Sequence, residues 1–151
     1  MEVYVASVWL HIVSAMLWLG GMLFLTVVLV PVLKGVDPSL RGRLVDAVGV
    51  RFRMAGWICL GLLVLTGFAN VLMRGYSLTS PLLSAKLVLV GVILVLSFFH
   101  DFVVGPKATL AMERGGREAE RLRWISSVIG RINVLLALAV VALGVMLVRG
   151  V

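Results

Sequence analysis

The sequence predicts an all-α membrane protein, and three observations support that prediction. Hydrophobic residues make up 62% of the 151 residues, whereas soluble domains are nearer half apolar. Four apolar segments are each about 20 residues or longer, which lets a helix cross ~30 Å of hydrocarbon. The sequence shows no strand-like alternation, and a backbone in lipid must satisfy its own hydrogen bonds. We therefore expect a polytopic bundle of four transmembrane helices in a single membrane domain, residues 1–151.

The first two transmembrane helices are predicted at about residues 3–30 and 54–73. Helix 1 carries one ionisable side chain, His11, and Pro31 closes it because proline cannot continue a helix. Helix 2 carries none. Both segments are long enough and apolar enough to span a bilayer.

A short amphipathic helix is expected between helices 1 and 2. Asp37-Pro38 is typical of a helix start, with an N-cap followed by proline in the first turn. Apolar residues then recur every four positions, at Leu40, Leu44 and Val48. This pattern predicts a helix lying at the headgroups.

The last two transmembrane helices are predicted at about residues 82–104 and 124–148. Gly105-Pro106 ends helix 3. The ionisable side chains within these two segments are Lys86, His100, Asp101 and Arg131. Such groups are expensive at membrane depth and are candidates for function.

Charge placement predicts the orientation. Ten of the 14 Lys and Arg residues fall in the connections after helices 1 and 3: Lys34, Arg41, Arg43, Arg51, Arg53, Lys107, Arg114, Arg117, Arg121 and Arg123. The other side holds Arg74 and Arg149. The positive-inside rule then places both termini outside the cytoplasm, in a cytoplasmic membrane. The net charge of +7 therefore reflects topology and lipid headgroups, and nucleic acid is not an expected partner.

Catalytic motifs of the soluble type are not found in the sequence. HExxH, GxSxG with a histidine partner, the Walker loop and GxGxxG are all missing. The single cysteine, Cys59, lies in an apolar run and is expected to be a small buried hydrophobe. The catalytic residues, if the protein is an enzyme, are not identified by the sequence.

A polar cluster is expected in the outer half of the membrane. Helical spacing puts a stripe of polar and aromatic residues on helix 1: Tyr4, Ser7, His11, Ser14 and Trp18. A second stripe on helix 2 contains Cys59, Thr66, Asn70 and Met73. His11, Lys86 and Asn70 could then meet inside the bundle, supported by Ser14 and Trp18. The alternative for Lys86 is to snorkel to the interface.

A second polar set lies at the inner end of the bundle. Asp101 and Arg131 are expected to form an ion pair, because an unpaired buried charge is very costly. His100 lies beside them at the end of helix 3. Fourteen residues separate it from Lys86, about 21 Å along a helix, so the two belong to different sites or to two ends of one pathway.

Copper and haem are the cofactor candidates that these residues suggest. Histidine, methionine and cysteine suit Cu(I), so His11 and His100 are candidate ligands, with Met16, Met22 and Met73 as possible soft partners. A haem on His11 would need its second ligand from Lys86, a methionine, water or a partner chain. Isolated methionines in a membrane core are otherwise packing residues.

Three stretches resemble the copper-resistance D (CopD) membrane family. They are LHIVSAMLWLGGMLF in helix 1, RFRMAGWICLGLLVLTGFAN followed by SLTSPLLSAKL, and FFHDFVVGP at the end of helix 3. Together they cover Leu10 to Pro106. The resemblance implies copper handling across the membrane.

The sequence is also similar, more distantly, to HemJ-type protoporphyrinogen oxidases. Those proteins share a histidine early in helix 1, followed by tryptophan and glycine, and a lysine in a later helix. The corresponding positions here are His11 and Lys86. This resemblance implies a bound b-type haem and redox activity.

Three functions therefore stay open at this point. They are copper transport, b-haem redox chemistry, and a structural or assembly role in which the polar residues only hold helices together. A unit of four helices leaves polar residues that another copy could cover, so we expect a homo-oligomer. A periplasmic metal-binding protein is a further expected partner of the copper function.

Overall fold

The computed structural model describes residues 1–114 and 116–150, with the side chains of 38, 109 and 112–114 left aside. Within those residues the chain is helical and forms no strand. Four of the described helical stretches are long and apolar enough to cross a membrane: Glu2–Gly35, Ser39–Arg74, Pro81–Ala108 and Arg117–Arg149. The prediction of an all-α protein with four membrane-spanning helices is confirmed. The length and apolar composition of these four segments make the chain a membrane protein. It divides into two compact units, Met1–Ser80 and Pro81–Val151.

The first unit is a pair of long helices. Helix α1 (Glu2–Leu23) is followed without a break by a π-helical segment, π1 (Phe24–Leu29). A short α-helical turn, α2 (Val30–Val32), and a 3-10 turn (Leu33–Gly35) come next. Helix α3 follows from Pro38–Arg74 and packs along α1.

The second unit repeats this plan. Helix α4 (Pro81–Phe98) continues through a second π-helical segment, π2 (Phe99–Val104), into α5 (Gly105–Arg114). Helix α6 (Arg117–Arg149) packs against α4 and α5.

A proline closely follows each π-helical segment. The Val30 N–H bonds to Leu25 O and the Gly105 N–H to His100 O, both reaching back five residues instead of four. Pro31 and Pro106 come directly afterwards and have no N–H to donate. The helices therefore continue past their prolines, instead of ending there as the sequence predicted.

The expected separate helix between helices 1 and 2 is corrected by the structure. Its residues are helical, but they are the first turns of α3, which runs without interruption from Pro38–Arg74. The start was predicted correctly at Asp37, whose carboxylate accepts hydrogen bonds from the Ser39 hydroxyl at 2.6 Å and from the Ser39 and Leu40 N–H groups. In the same way α6 begins at Arg117, before the predicted boundary at residue 124.

The cap of α3 is sensitive to pH. The Ser39 hydroxyl, followed by the Leu40 and Ser39 N–H groups, lowers the pKa of Asp37 because each donates to the ionised carboxylate. A carboxyl whose pKa is depressed on folding stabilises the fold above its unfolded pKa. That contribution is lost as the pH falls through the folded value.

Candidate functional site

The stripe predicted on α1 faces α3. At one end the Arg74 guanidinium lies 5.3 Å from the centre of the Tyr4 ring. Further along, a methyl group added at Gly56 would lie 3.5 Å from the Trp18 ring. Ser14 is 2% exposed. The two helices are thus antiparallel, and the polar side of α1 is buried against α3.

His11 contacts two consecutive residues of α3. Its Nδ1 lies 2.8 Å from Thr66 Oγ1, and its Cε1 would lie 3.3 Å from a methyl group added at Gly67. Glycine at position 67 therefore leaves room for the imidazole. Thr66 itself is buried.

The Thr66 hydroxyl determines the tautomer of His11. That hydroxyl donates to the Leu62 carbonyl one turn earlier. It therefore receives a hydrogen bond from His11, whose Nδ1 must carry the proton. A neutral imidazole protonated at Nδ1 has its lone pair on Nε2, and this arrangement is common among metal-binding histidines, which donate through their other nitrogen.

One helical turn from this contact lie two buried oxygen atoms, those of the Ser7 hydroxyl and the Asn70 amide. Among the described residues, no hydrogen-bond partner is found for Ser7 Oγ or Asn70 Oδ1. Ser7 is one turn before His11 on α1, and Asn70 is one turn after Thr66 on α3. The contacts of Tyr4 with Arg74 and of His11 with Thr66 therefore place Ser7 and Asn70 at the same level. Buried polar atoms without partners call for a water, an ion or a ligand.

The methionines do not gather around this site. Met16 is 68% exposed, and five residues after His11 it lies about 140° around the helix. Met22 follows His11 by 11 residues, about 16 Å along the axis, and Met73 is 43% exposed. Their role as soft copper ligands stays a prediction. Cys59 is buried, as expected of a small hydrophobe.

The second unit contains a hydrogen-bonded group at the expected inner site. His100 Nδ1 lies 2.8 Å from Asp101 Oδ1, and Ser126 Oγ lies 3.0 Å from His100 Nε2. Both ring nitrogens are thus engaged, so a metal at His100 would have to replace one of these bonds. Within the described chain the ion pair shown for Asp101 is the one with His100. Arg131 donates to Ser127 Oγ at 2.9 Å, and the expected Asp101–Arg131 pair stays a prediction.

A buried amide lies between α4 and α6. Asn133 Nδ2 donates to Ser97 Oγ at 3.1 Å, and both side chains are buried. Asn133 Oδ1 has no hydrogen-bond partner in the described part of the chain. Sequence reasoning missed this pair and Ser126. The signal that could have revealed them is the presence of uncharged polar residues within the last two apolar segments, where the prediction rested on ionisable side chains alone.

Lys86 is also placed within the second unit. Its Nζ lies 3.1 Å from where a methyl group at Gly144 would be. Its side chain is therefore directed across to α6. His11 and Asn70 belong to the first unit, and their expected meeting with Lys86 stays a prediction. In the described residues, no cluster of three or more His, Cys, Asp or Glu side chains could hold a metal ion.

Comparison with known proteins gives the chain a family. Residues 13–117, more than half of the chain, match the model of a domain of unknown function, DUF4149. The chain belongs to the DUF4149 family. An uncharacterized protein of Aquifex aeolicus (strain VF5) is 35% identical over 139 residues, covering 90% of this chain and 89% of the relative. No solved structure matches the chain. The DUF4149 match takes in Ser14, Thr66 and Lys86, whereas His11 lies just before it.

Proposed function

We propose that this DUF4149 protein handles copper in the membrane and that His11 is the ligand that receives the ion. The observation that carries the proposal is the hydrogen bond from His11 to Thr66, whose hydroxyl is itself committed to Leu62. It holds the imidazole in one tautomer and directs the ligand lone pair to Nε2. The CopD resemblance of the surrounding segment supports copper as the ion.

The donor set around His11 fits copper as transported cargo. Imidazole nitrogen and neutral oxygen donors suit Cu(II), and Ser7 Oγ and Asn70 Oδ1 are oxygens without other partners among the described residues. The set contains no charged ligand. A site of this kind binds weakly, which suits an ion that must leave again.

The proposal also includes location and partners. The distribution of Lys and Arg supports a cytoplasmic membrane with both termini outside, which puts His11 in the outer half. A periplasmic metal-binding protein would then deliver or receive the ion there. A second copy of the chain would cover polar groups that one copy leaves exposed to lipid.

Metal analysis of the purified protein tests the proposal. With excess copper in detergent, we expect binding to saturate at one ion per chain, to be lost in His11→Ala, and to be kept in His100→Ala, the matched control in which a hydrogen-bonded histidine is removed. Elemental analysis and isothermal titration would measure both. Full copper content in His11→Ala would overturn the proposal.

A visible spectrum tests the haem alternative in the same sample. His11 Nε2 could serve as an axial ligand, and the HemJ resemblance would make Lys86 its functional partner. A Soret band that disappears in His11→Ala would replace copper with b-type haem. A protein that binds neither would favour the structural role.

A further inference from the structure

The two compact units share structural landmarks at a constant offset of 75 residues. Segment π1 begins at Phe24 and ends at Leu29, and π2 begins at Phe99 and ends at Val104. The offset is the same at both boundaries. Each segment has phenylalanine first and is followed, after one residue, by proline.

The ends of the second helices obey the same offset. Helix α3 ends at Arg74 and is capped by Gly75 with φ 64°. Helix α6 ends at Arg149 and is capped by Gly150 with φ 72°. Both glycines adopt the left-handed conformation that terminates helices.

Three pairs of buried residues also follow the offset, whereas Leu60 and Thr66 are buried and their counterparts Leu135 and Val141 are 67% and 45% exposed. Trp18 and Ile93 are buried at equivalent places in α1 and α4. The other equivalent buried pairs are Leu33 with Ala108, and Cys59 with Val134. These matches come from four different helical elements in each unit, so a coincidence of one boundary does not explain them.

The same offset pairs His11 with Lys86. Each is the ionisable side chain of its helix that reaches a glycine on the neighbouring long helix, Gly67 for His11 and Gly144 for Lys86. The counterpart of Gly67 at this offset is Ala142, and Gly144 lies two residues after it in α6. A lysine side chain is longer than a histidine side chain, which agrees with this shift. Lys86 is thus directed across its unit in the manner of His11, which argues against snorkelling.

We propose that the chain is an internal duplication of one two-helix unit. We further propose that each copy carries a functional polar side chain at the same position of its first helix, His11 in the first copy and Lys86 in the second. An ammonium group offers only donors, so the second copy cannot ligate a cation. Under the proposed copper function, on which this part rests, the first copy holds the ion. Histidine at position 86 would supply the second copy with an imidazole ligand, but Leu82 and Val145, the counterparts of Ser7 and Asn70, add no oxygen ligand.

Exchange of the two side chains tests functional equivalence. We expect His11→Lys to lose copper and the double variant His11→Lys, Lys86→His to regain one ion per chain. The regained site should bind more weakly by about 100-fold or more, because Val141, the counterpart of Thr66, provides no hydroxyl to orient the ring, and the two oxygen ligands of the first copy are missing. Lys86→His alone should bind a second copper ion, which covers the case in which the double variant fails to fold.

The outcomes separate the two proposals. Copper retained by His11→Lys would overturn the proposed function. Functional equivalence would be overturned by two results together. The double variant would fail to regain the copper that His11→Lys loses, and Lys86→His would bind only one copper ion.

Membrane depth tests the duplication without copper. In a Cys59→Ala background, spin labels at His11→Cys and Lys86→Cys should show the same depth by oxygen and nickel accessibility. The pair Phe24→Cys and Phe99→Cys should also match. A difference greater than one helical turn, about 5.4 Å, in either pair would overturn the duplication.

Discussion

His11 illustrates how an imidazole is positioned between two membrane-spanning helices. Its Nδ1 is hydrogen-bonded to the Thr66 hydroxyl, and that hydroxyl donates to the Leu62 carbonyl. The ring is oriented by neighbours that belong to the opposite helix. The oxygens of Ser7 and Asn70 at the same level are left for a ligand or water.

Removal of the Thr66 hydroxyl should weaken metal binding without removing the ligand. For Thr66→Val, which keeps the shape of the side chain, we expect copper affinity to fall about 10–100-fold. Thr66→Ser keeps the hydroxyl and should stay near the affinity of the unmodified protein. Isothermal titration of both variants checks this, and equal affinities in the two would contradict the orienting role.

The candidate residues differ in how far the sequence could reveal them. His11, Lys86 and His100 are conspicuous because ionisable groups are rare in apolar segments. Their partners are not, because the pairing of Ser126 with His100 depends on the register between two helices, which hydropathy does not specify. The stripe of α1 that faces α3 was predicted because helical periodicity alone groups those residues.

At the scale of elements, glycines determine how closely α1 and α3 approach. A methyl group at Gly21 would overlap the ring of Phe52 on α3. Gly20, its neighbour in the sequence, has open space around it. Small residues let membrane helices approach closely, and at this Gly-Gly pair the second glycine has that role.

Alanine at these two positions should therefore have different effects. Gly21→Ala should destabilise the protein by about 1–3 kcal/mol, because the Phe52 ring must move within a packed interface. Gly20→Ala should be neutral or slightly stabilising, because alanine favours the helix. Thermal unfolding in detergent measures both, and equal midpoints would show that the ring moves at no cost.

The helix boundaries show which local signals are reliable. Asp37-Pro38 marked the start of α3 correctly, because capping chemistry is local. The expected break before residue 54 was wrong, because a change from amphipathic to apolar residues does not interrupt backbone hydrogen bonds. Pro31 and Pro106 were read as terminators, but a π-helical turn before each one lets the helix continue.

At the scale of the whole molecule, the charge distribution predicts a topology that can be measured. In a Cys59→Ala background, Ser77→Cys in the turn between α3 and α4 should react with an impermeant maleimide in intact cells. Lys107→Cys should react only after the membrane is opened. Both residues are exposed in the structure, so the membrane alone should decide the labelling. The opposite pattern would place the termini in the cytoplasm.

The length of helix α3 has a structural consequence. Its 37 residues extend about 55 Å, well beyond ~30 Å of hydrocarbon. A helix of this length exceeds the hydrocarbon thickness by about 25 Å, and its first turns, with Leu40 and Leu44, are continuous with the residues that contact His11. Because no break occurs between Pro38 and Arg74, one continuous helix carries both these first turns and Thr66, the residue that orients His11.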